Sequence, residues 1–420
     1  MLQTNKIIIL IFIFSLSYPQ GYMNGLGLGY LNENSGALNS TNGSNKLIPT
    51  YQARISLSNP STWYNLKYTH LSLAYSSYSA SIDGQSLLNG YSNISSAIWI
   101  IPIKSKAAFG LSIEPYADQR LSIEQNDTTY IDAFDRTIGT TKSLDQYGGL
   151  LKLRLGSSYA VHERLGLGFA IDLLFGSSRK NESLFFDAIS VVQTSQNRYS
   201  GLLSELFFNY KFSENIFAYG SVSKAINPVD VLITDRFLFD DVNRNGYHDP
   251  FDSPAIDSVD ASPEVRLVDV HNPLTYSIGL QTTINQNKAL SIEYIAYSDE
   301  AGKLNLINAG LNDYIELSNH ISLSFTRFPK DLSTQVFDKF IFRAGAVFKD
   351  HELGLTGNNI RELGCLMGLG FKFKNVGNQI DLNLYLGNRT HSNNYHNEFI
   401  KQLQVGISLA DLWFVKRRQK

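Results

Sequence analysis

Cysteine is almost missing from this chain: Cys365 is the single one in 420 residues. One cysteine allows no intrachain disulfide and no thiolate metal cluster, so Cys365 reads as a small buried or lipid-facing residue and not as a nucleophile. An excess of one charge is also missing. Lys and Arg number 36 against 38 Asp and Glu, a formal net charge of −2, which excludes the basic surplus of a nucleic-acid binder. Beyond the N-terminus no apolar run approaches the about 20 residues that a membrane-spanning helix needs. The common catalytic signatures do not occur either: there is no Gly-x-Ser-x-Gly elbow, no phosphate-binding loop and no His-Glu-x-x-His. The eight histidines are scattered, and His391 and His396 in HSNNYH read as a polar loop. The chain is therefore expected not to be an enzyme; a lumenal Ser/His hydrolase is not testable from so many Ser and His residues.

What is present begins with an export signal. Lys6 precedes the apolar stretch Ile7 to Ser17, and the composition turns polar at Pro19-Gln20-Gly21. That stretch is too short to span a bilayer as a helix, so residues 1–20 are expected to be a cleaved signal peptide.

The body of the chain has a two-residue period. In Leu165 to Phe175, LGLGFAIDLLF, the odd positions Leu165, Leu167, Phe169, Ile171, Leu173 and Phe175 are all apolar. The even positions carry Gly166, Gly168, Ala170 and Asp172. Successive side chains on a strand point to opposite faces, so one face is greasy and the other small or polar. Soluble strands average about five or six residues, whereas a tilted transmembrane strand needs about nine to eleven. The pattern recurs in Leu71–Tyr75, Leu151–Leu155, Leu202–Phe212, Phe340–Phe348, Met367–Phe373, Ile380–Leu386 and Leu403–Leu409. Tyr and Phe, 23 and 25 in number, suit strands and interfacial aromatic girdles. Short polar links at Ala160–Arg164, Ser213–Asn215 and Asn375–Asn378 read as tight turns, against a long loop over Asn227 to Asn272. The expected fold is all-β: a transmembrane antiparallel β-barrel of about fourteen to sixteen strands. A secreted sandwich or propeller would have shorter strands and more even turns.

Residues 21–65 lack long alternation and are rich in Gly, Asn and Ser, ending in a turn at Asn59-Pro60-Ser61. The inward charges Lys152, Arg154, Asp172, Glu205, Lys211, Glu293 and Arg343 are most simply read as a hydrated lumen with its salt bridges.

The Gly/Asn-rich leader, then SLSNPSTWYNL (Ser56 to Leu66), then LSLAYSSY, resembles the opening of FadL-like outer-membrane transport proteins. Gly110-Leu-Ser-Ile-Glu-Pro-Tyr-Ala-Asp118 is similar to the Gly-x-x-x-x-Pro-Tyr stretch of those proteins, and Leu412-Trp-Phe-Val-Lys-Arg-Arg is similar to barrel ends among broader relatives. The chain departs from the pattern at Ser61, where Ala is usual, in lacking a Met-Gly-Gly run, and in continuing to Lys416–Lys420. The resemblance implies about fourteen strands, residues 21–65 as a lumenal hatch with Asn59, Pro60 and Ser61 at its turn, residues 66–420 as the barrel, and passage of hydrophobic small molecules. It also implies a location in a Gram-negative type outer membrane. A branch of the same broad family, the PorV-type shuttles, serves protein secretion instead, which makes a surface scaffold or partner of secreted proteins the alternative. A general porin is disfavoured by a leader built to fill the lumen.

One motif carries sharper chemistry. Asp241-Val-Asn-Arg-Asn-Gly-Tyr-His-Asp-Pro-Phe-Asp252 places oxygen donors at positions 1, 3, 5, 9 and 12 of a twelve-residue loop: Asp241, Asn243, Asn245, Asp249 and Asp252. Tyr247 at position 7 would offer its carbonyl, and Gly246 allows the sharp turn. Calcium takes six to eight oxygens, so a structural calcium ion in the external loop is expected. Asp252 in place of Glu, and Pro250 against a following helix, make the loop more like a dockerin or thrombospondin repeat than a helix–loop–helix sensor.

Overall fold

The computed structural model describes residues 21–31, 46–51, 54–82, 88–103, 106–131, 136–186, 189–243, 245, 248–250, 252, 264–285, 287–307, 312–330, 333, 335–373, 378–392 and 397–411. Residues 1–20, where a signal peptide is expected, Tyr247, His396 and the C-terminal stretch from Leu412 lie outside them. Seventeen strand segments follow in chain order: β1 (Tyr30–Leu31), β2 (Thr69–Ile82), β3 (Leu88–Ile103), β4 (Ala107–Asp118), β5 (Leu121–Ile131), β6 (Arg136–His162), β7 (Leu165–Phe186), β8 (Ile189–Lys211) and β9 (Ile216–Asp240). The remainder are β10 (Val265–His271), β11 (Pro273–Asn285), β12 (Lys288–Asp299), β13 (Ile315–Arg327), β14 (Phe340–Leu353), β15 (Asn359–Lys372), β16 (Gln379–His391) and β17 (Glu398–Asp411).

Neighbours pair antiparallel around a ring, and the last strand returns to the first: Glu398 of β17 faces Ile82 of β2, and Asp411 faces Thr69. Closure pairs the wall strands around the whole ring, which is how a sheet limits unpaired edges in lipid. Segments β4 and β5 pair in succession with β6 and form one broken wall strand. With β1 inside and β10 paired onto the top of β9, the wall is a closed antiparallel barrel of fourteen strands, as expected.

The alternation that suggested the barrel holds. On β7, Gly166, Gly168, Ala170, Asp172 and Leu174 are buried inward, while Leu167, Phe169, Leu173 and Phe175 stand exposed outward. The same aliphatic belt continues through Leu71 and Leu73, Ile278 and Leu280, and Leu382 and Leu384. Cys365 is exposed on the same outer surface. A continuous apolar girdle of this size is what lipid covers.

Strands β6 to β9 run 27, 22, 23 and 25 residues, about twice the length that a bilayer requires. Their outer halves, with β5 and β10, rise beyond the belt as a wing. The outward face of β7 changes there from Leu173 and Phe175 to Ser177, Arg179 and Asn181. At the bend Gly148 has φ +100°, where a Cβ would collide with the Ser177 carbonyl, so only glycine fits. The wing also revises the long loop expected over 227–272. β9 continues to Asp240 and β10 occupies Val265–His271. Register shifts against β8 at Thr194/Gln196 and Ser200/Leu202, with Asp235 at φ 51°, break the two-residue period that would have revealed them.

Candidate functional site

The N-terminal residues lie inside the barrel, held by a turn that the sequence made visible. Asn59 caps the short 3-10 helix Pro60–Asn65. Its Oδ1 accepts from the Ser61 N–H (3.0 Å) and hydroxyl (2.7 Å), and its Nδ2 donates to the Leu47 carbonyl (2.9 Å). Trp63 Nε1–H donates to the carbonyls of Ser56 and Leu57 at 3.1 and 3.0 Å, so the buried indole leaves no polar atom unpaired. Asn59, Pro60, Ser61 and Trp63 are all buried. The small wall residues make room for them: Gly166 and Gly168 of β7 lie against Tyr64, Pro60 and Ser61, and Gly110 and Gly156 against the Trp63 ring. Asn209 of β8 donates to the Ser61 carbonyl.

Most of the inward charges are buried, and several of them tie this inner segment to the wall. Arg154 forms a two-point pair with Asp172 (2.7 and 2.7 Å) and reaches Glu205 (2.6 Å), which also takes Lys46 of the inner segment at 2.8 Å. Glu293 accepts the N–H of Lys46 (3.1 Å) and of Leu47 (3.4 Å). Arg343 donates to the Thr50 carbonyl (3.1 Å) and pairs with Asp381 (2.7 Å). Buried pairs recover their desolvation cost only when geometry and hydrogen bonds are good, as in the two-point Arg154–Asp172 pair. Lys211 differs: it stays half-buried and pairs with Glu214 in the β8–β9 turn. Higher up, Arg389 bridges Glu362 (2.7 Å) and Glu398 (2.6 Å) beneath the Tyr30 ring.

The outer end of the lumen is filled by apolar packing. Leu28 of the inner segment shares one buried cluster with Leu174, Leu203, Val231, Val270 and, from the short helix Leu304–Ile307, Leu304. A void of about 10 Å³ beside Met23, Tyr30, Ser318 and His351 has room for about one water. Ser318 Oγ lies there 2.6 Å from His320 Nε2 and 2.8 Å from His351 Nδ1, a Ser/His contact with no space for a substrate.

The wall is open on one side. β3 pairs with β4 only from Ile103↔Ala107 up to Ala97↔Ile113, although β3 continues to Leu88 along β2. Above that level β4 carries Pro115, which has no N–H to donate, and a bulge at Tyr116. The edge left by β3 is met instead by β1 of the inner segment, with Tyr30 opposite Asp118 and Leu31 opposite Ala117. Above this split, on the inner face of the wing, a cavity of about 480 Å³ is lined by Ile123, Leu144, Leu184, Val191 and Leu238, with Lys142.

The described residues of the Asp241–Asp252 stretch hydrogen-bond among themselves. The Asn245 N–H donates to Asp241 Oδ1 and Asn243 Oδ1, both at 3.0 Å, and the amides of Asn243 and Asn245 donate to Asp249 Oδ2 at 2.8 and 3.1 Å. Asp249 N–H donates to Asp252 Oδ2 (2.8 Å), and His248 stacks on Phe237 at 5.0 Å. Among the described residues no group of three or more His, Cys, Asp or Glu side chains is gathered as a metal site.

The geometry of this barrel has known counterparts. A family model named BamG matches residues 1–420. The chain belongs to the BamG family. No curated protein matches it. Among solved structures this BamG-family chain is similar to the CymD monoaromatic hydrocarbon channel, with 10% identity, 92% of this chain and 100% of that chain covered and a TM-score of 0.56. It is similar also to the Pseudomonas putida toluene transporter TodX, with 13% identity, 91% and 100% coverage and a TM-score of 0.53. A FadL homologue of Pseudomonas aeruginosa gives 10% identity, 93% and 98% coverage and a TM-score of 0.52. At these identities the likeness is one of fold, and the FadL-like barrel expected from the sequence is the fold found.

Proposed function

We propose that this BamG-family chain is an outer-membrane barrel for passive uptake of hydrophobic small molecules, of the fatty-acid or aromatic-hydrocarbon kind, with the inner segment as a hatch. The split between β3 and β4 carries this reading. An apolar solute gains nothing from a water-filled lumen, whereas a side opening at bilayer depth lets it enter lipid without crossing water. The wing cavity, within the size range of small-molecule sites, supports a role as the capture site above the split. The likeness in fold to CymD, a monoaromatic hydrocarbon channel, and to TodX, a toluene transporter, supports the substrate class. In the same reading residues 1–20 are the export signal, and calcium in the Asp241–Asp252 loop holds that loop against β9.

The test is uptake of labelled oleate by cells that lack their own fatty-acid channel and carry this chain in the outer membrane. Uptake above that of cells with the empty vector is the expected outcome; equality, with the folded barrel present, overturns the proposal. The densely filled lumen favours a second reading, a surface scaffold or secretion partner of the PorV type. In that case the purified barrel retains a secreted protein in a defined ratio and oleate uptake stays at background.

A further inference from the structure

Three side chains that no step above uses join the split to the far wall of the barrel. Tyr116 is the extra residue of the β4 bulge, placed between Pro115 and Ala117 where β3 no longer pairs. Its hydroxyl crosses the lumen to His271 Nε2, 2.8 Å away, at the end of β10. His271 is fully buried, and its Nδ1 lies 3.0 Å from Asp299 Oδ2 at the end of β12. Asp299 is fixed in turn: its Oδ1 accepts the N–H groups of Asn272 and Ala301, both at 3.0 Å. A carboxylate only accepts, so Nδ1 carries the imidazole proton. In the neutral ring Nε2 then accepts, and the Tyr116 O–H is its donor.

This polar chain runs through an otherwise apolar region. Tyr116 packs on the core that contains Leu28, Val270 and Leu304, and Leu31 of β1 packs there as well. Movement of the β4 edge outward, away from β10, must break the Tyr116–His271 bond and strand a buried imidazole nitrogen. A buried acceptor left without its donor is costly, so the bond has a preferred closed state and a definite broken state. We propose that Tyr116, His271 and Asp299 are the latch of the side opening, with His271 and Asp299 as positioning residues that hold the far end for Tyr116. The proposal rests on the uptake reading for its purpose, but the latch itself is a statement about which bond holds the β4 edge to the end of β10.

Hydrogen exchange followed by mass spectrometry, on the full chain in nanodiscs, reads it directly. Tyr116→Phe keeps the ring and removes the donor. Exchange of the amides in residues 113–118 is expected to rise about tenfold, the size of one lost hydrogen bond, while residues 165–175 stay unchanged. Asp299→Asn, which keeps the shape and removes the charge that orients the imidazole, moves the same amides in the same direction by less. Tyr75→Phe, which loses an exposed bond to Ser92 on the neighbouring wall, leaves them unmoved. Oleate uptake measured beside it rises in Tyr116→Phe. Unchanged exchange at 113–118 in folded Tyr116→Phe overturns the latch, as does an equal rise in Tyr75→Phe. Raised exchange with background uptake in both wild type and variant upholds the latch and overturns the uptake reading.

Discussion

Gly156 faces Trp63 so closely that a Cβ on the glycine would sit 2.7 Å from the indole ring. The contact joins the wall strand β6 to the inner segment through the largest fully buried side chain among the described residues. A wall glycine is thus the complement of one ring.

Gly156→Val is therefore expected to displace Trp63 and to cost about 1–3 kcal/mol, the usual range for overpacking. Gly139 lies on the same strand, and a Cβ added there would meet nothing within 4 Å, so Gly139→Ala should stay within about 0.5 kcal/mol. The temperature at which the folded barrel is lost in a heat-modifiability gel compares the two.

Arg154→Met should be more damaging. It removes one cation from a site that holds both Asp172 and Glu205, leaving Lys46 as the nearest compensation. Breaking a buried pair on one side typically costs about 3–5 kcal/mol. Unfolding of the detergent-solubilised barrel in guanidinium measures it. The double change Arg154→Met with Asp172→Leu should recover part of the loss, because a charge left unpaired costs more than a pair removed.

Calcium should bind the Asp241–Asp252 loop. Titration calorimetry with calcium chloride is expected to give a binding heat that vanishes on Asp241→Ala, and chelator is expected to lower the melting temperature of the wild type alone. Absence of heat in the wild type would overturn the calcium assignment and leave the loop as a hydrogen-bonded turn.

How much of this was legible in the sequence depends on which interactions are periodic. The belt on β7 and on β15 to β17 reads directly, because one face meets lipid and the other is packed, and that contrast repeats every second residue. The wing does not read, because above Phe175 the outward face of β7 turns polar and the bulges in β8 and β9 break the period. The Asn59-Pro60-Ser61 turn reads because capping is local. The ties from Glu293 to Lys46 and from Arg343 to Thr50 do not, since the partners are 247 and 293 residues apart. Their charges looked like a wet lumen because a single chain does not say which neutral backbone meets them. Pro115 was the one available sign of the split, a residue that strands confine to edges and bulges. Tyr116, His271 and Asp299 stand in three separate strands with no spacing between them to suggest a chain of bonds.

The seam between β17 and β2 also sets an order of events. The first wall strand finds its partner only when the last one has arrived, while the inner segment with Trp63 and Arg154's contacts at Ser58 already lies within the ring. Trp63 seats against Gly110 and Gly156 of the wall. The expected order is that residues 54–65 settle against β4, β6 and β7 before β17 reaches β2, so that the barrel is built around its contents, not filled afterwards. A chain whose inner segment is altered should stall as an open sheet before it could ever become an empty channel.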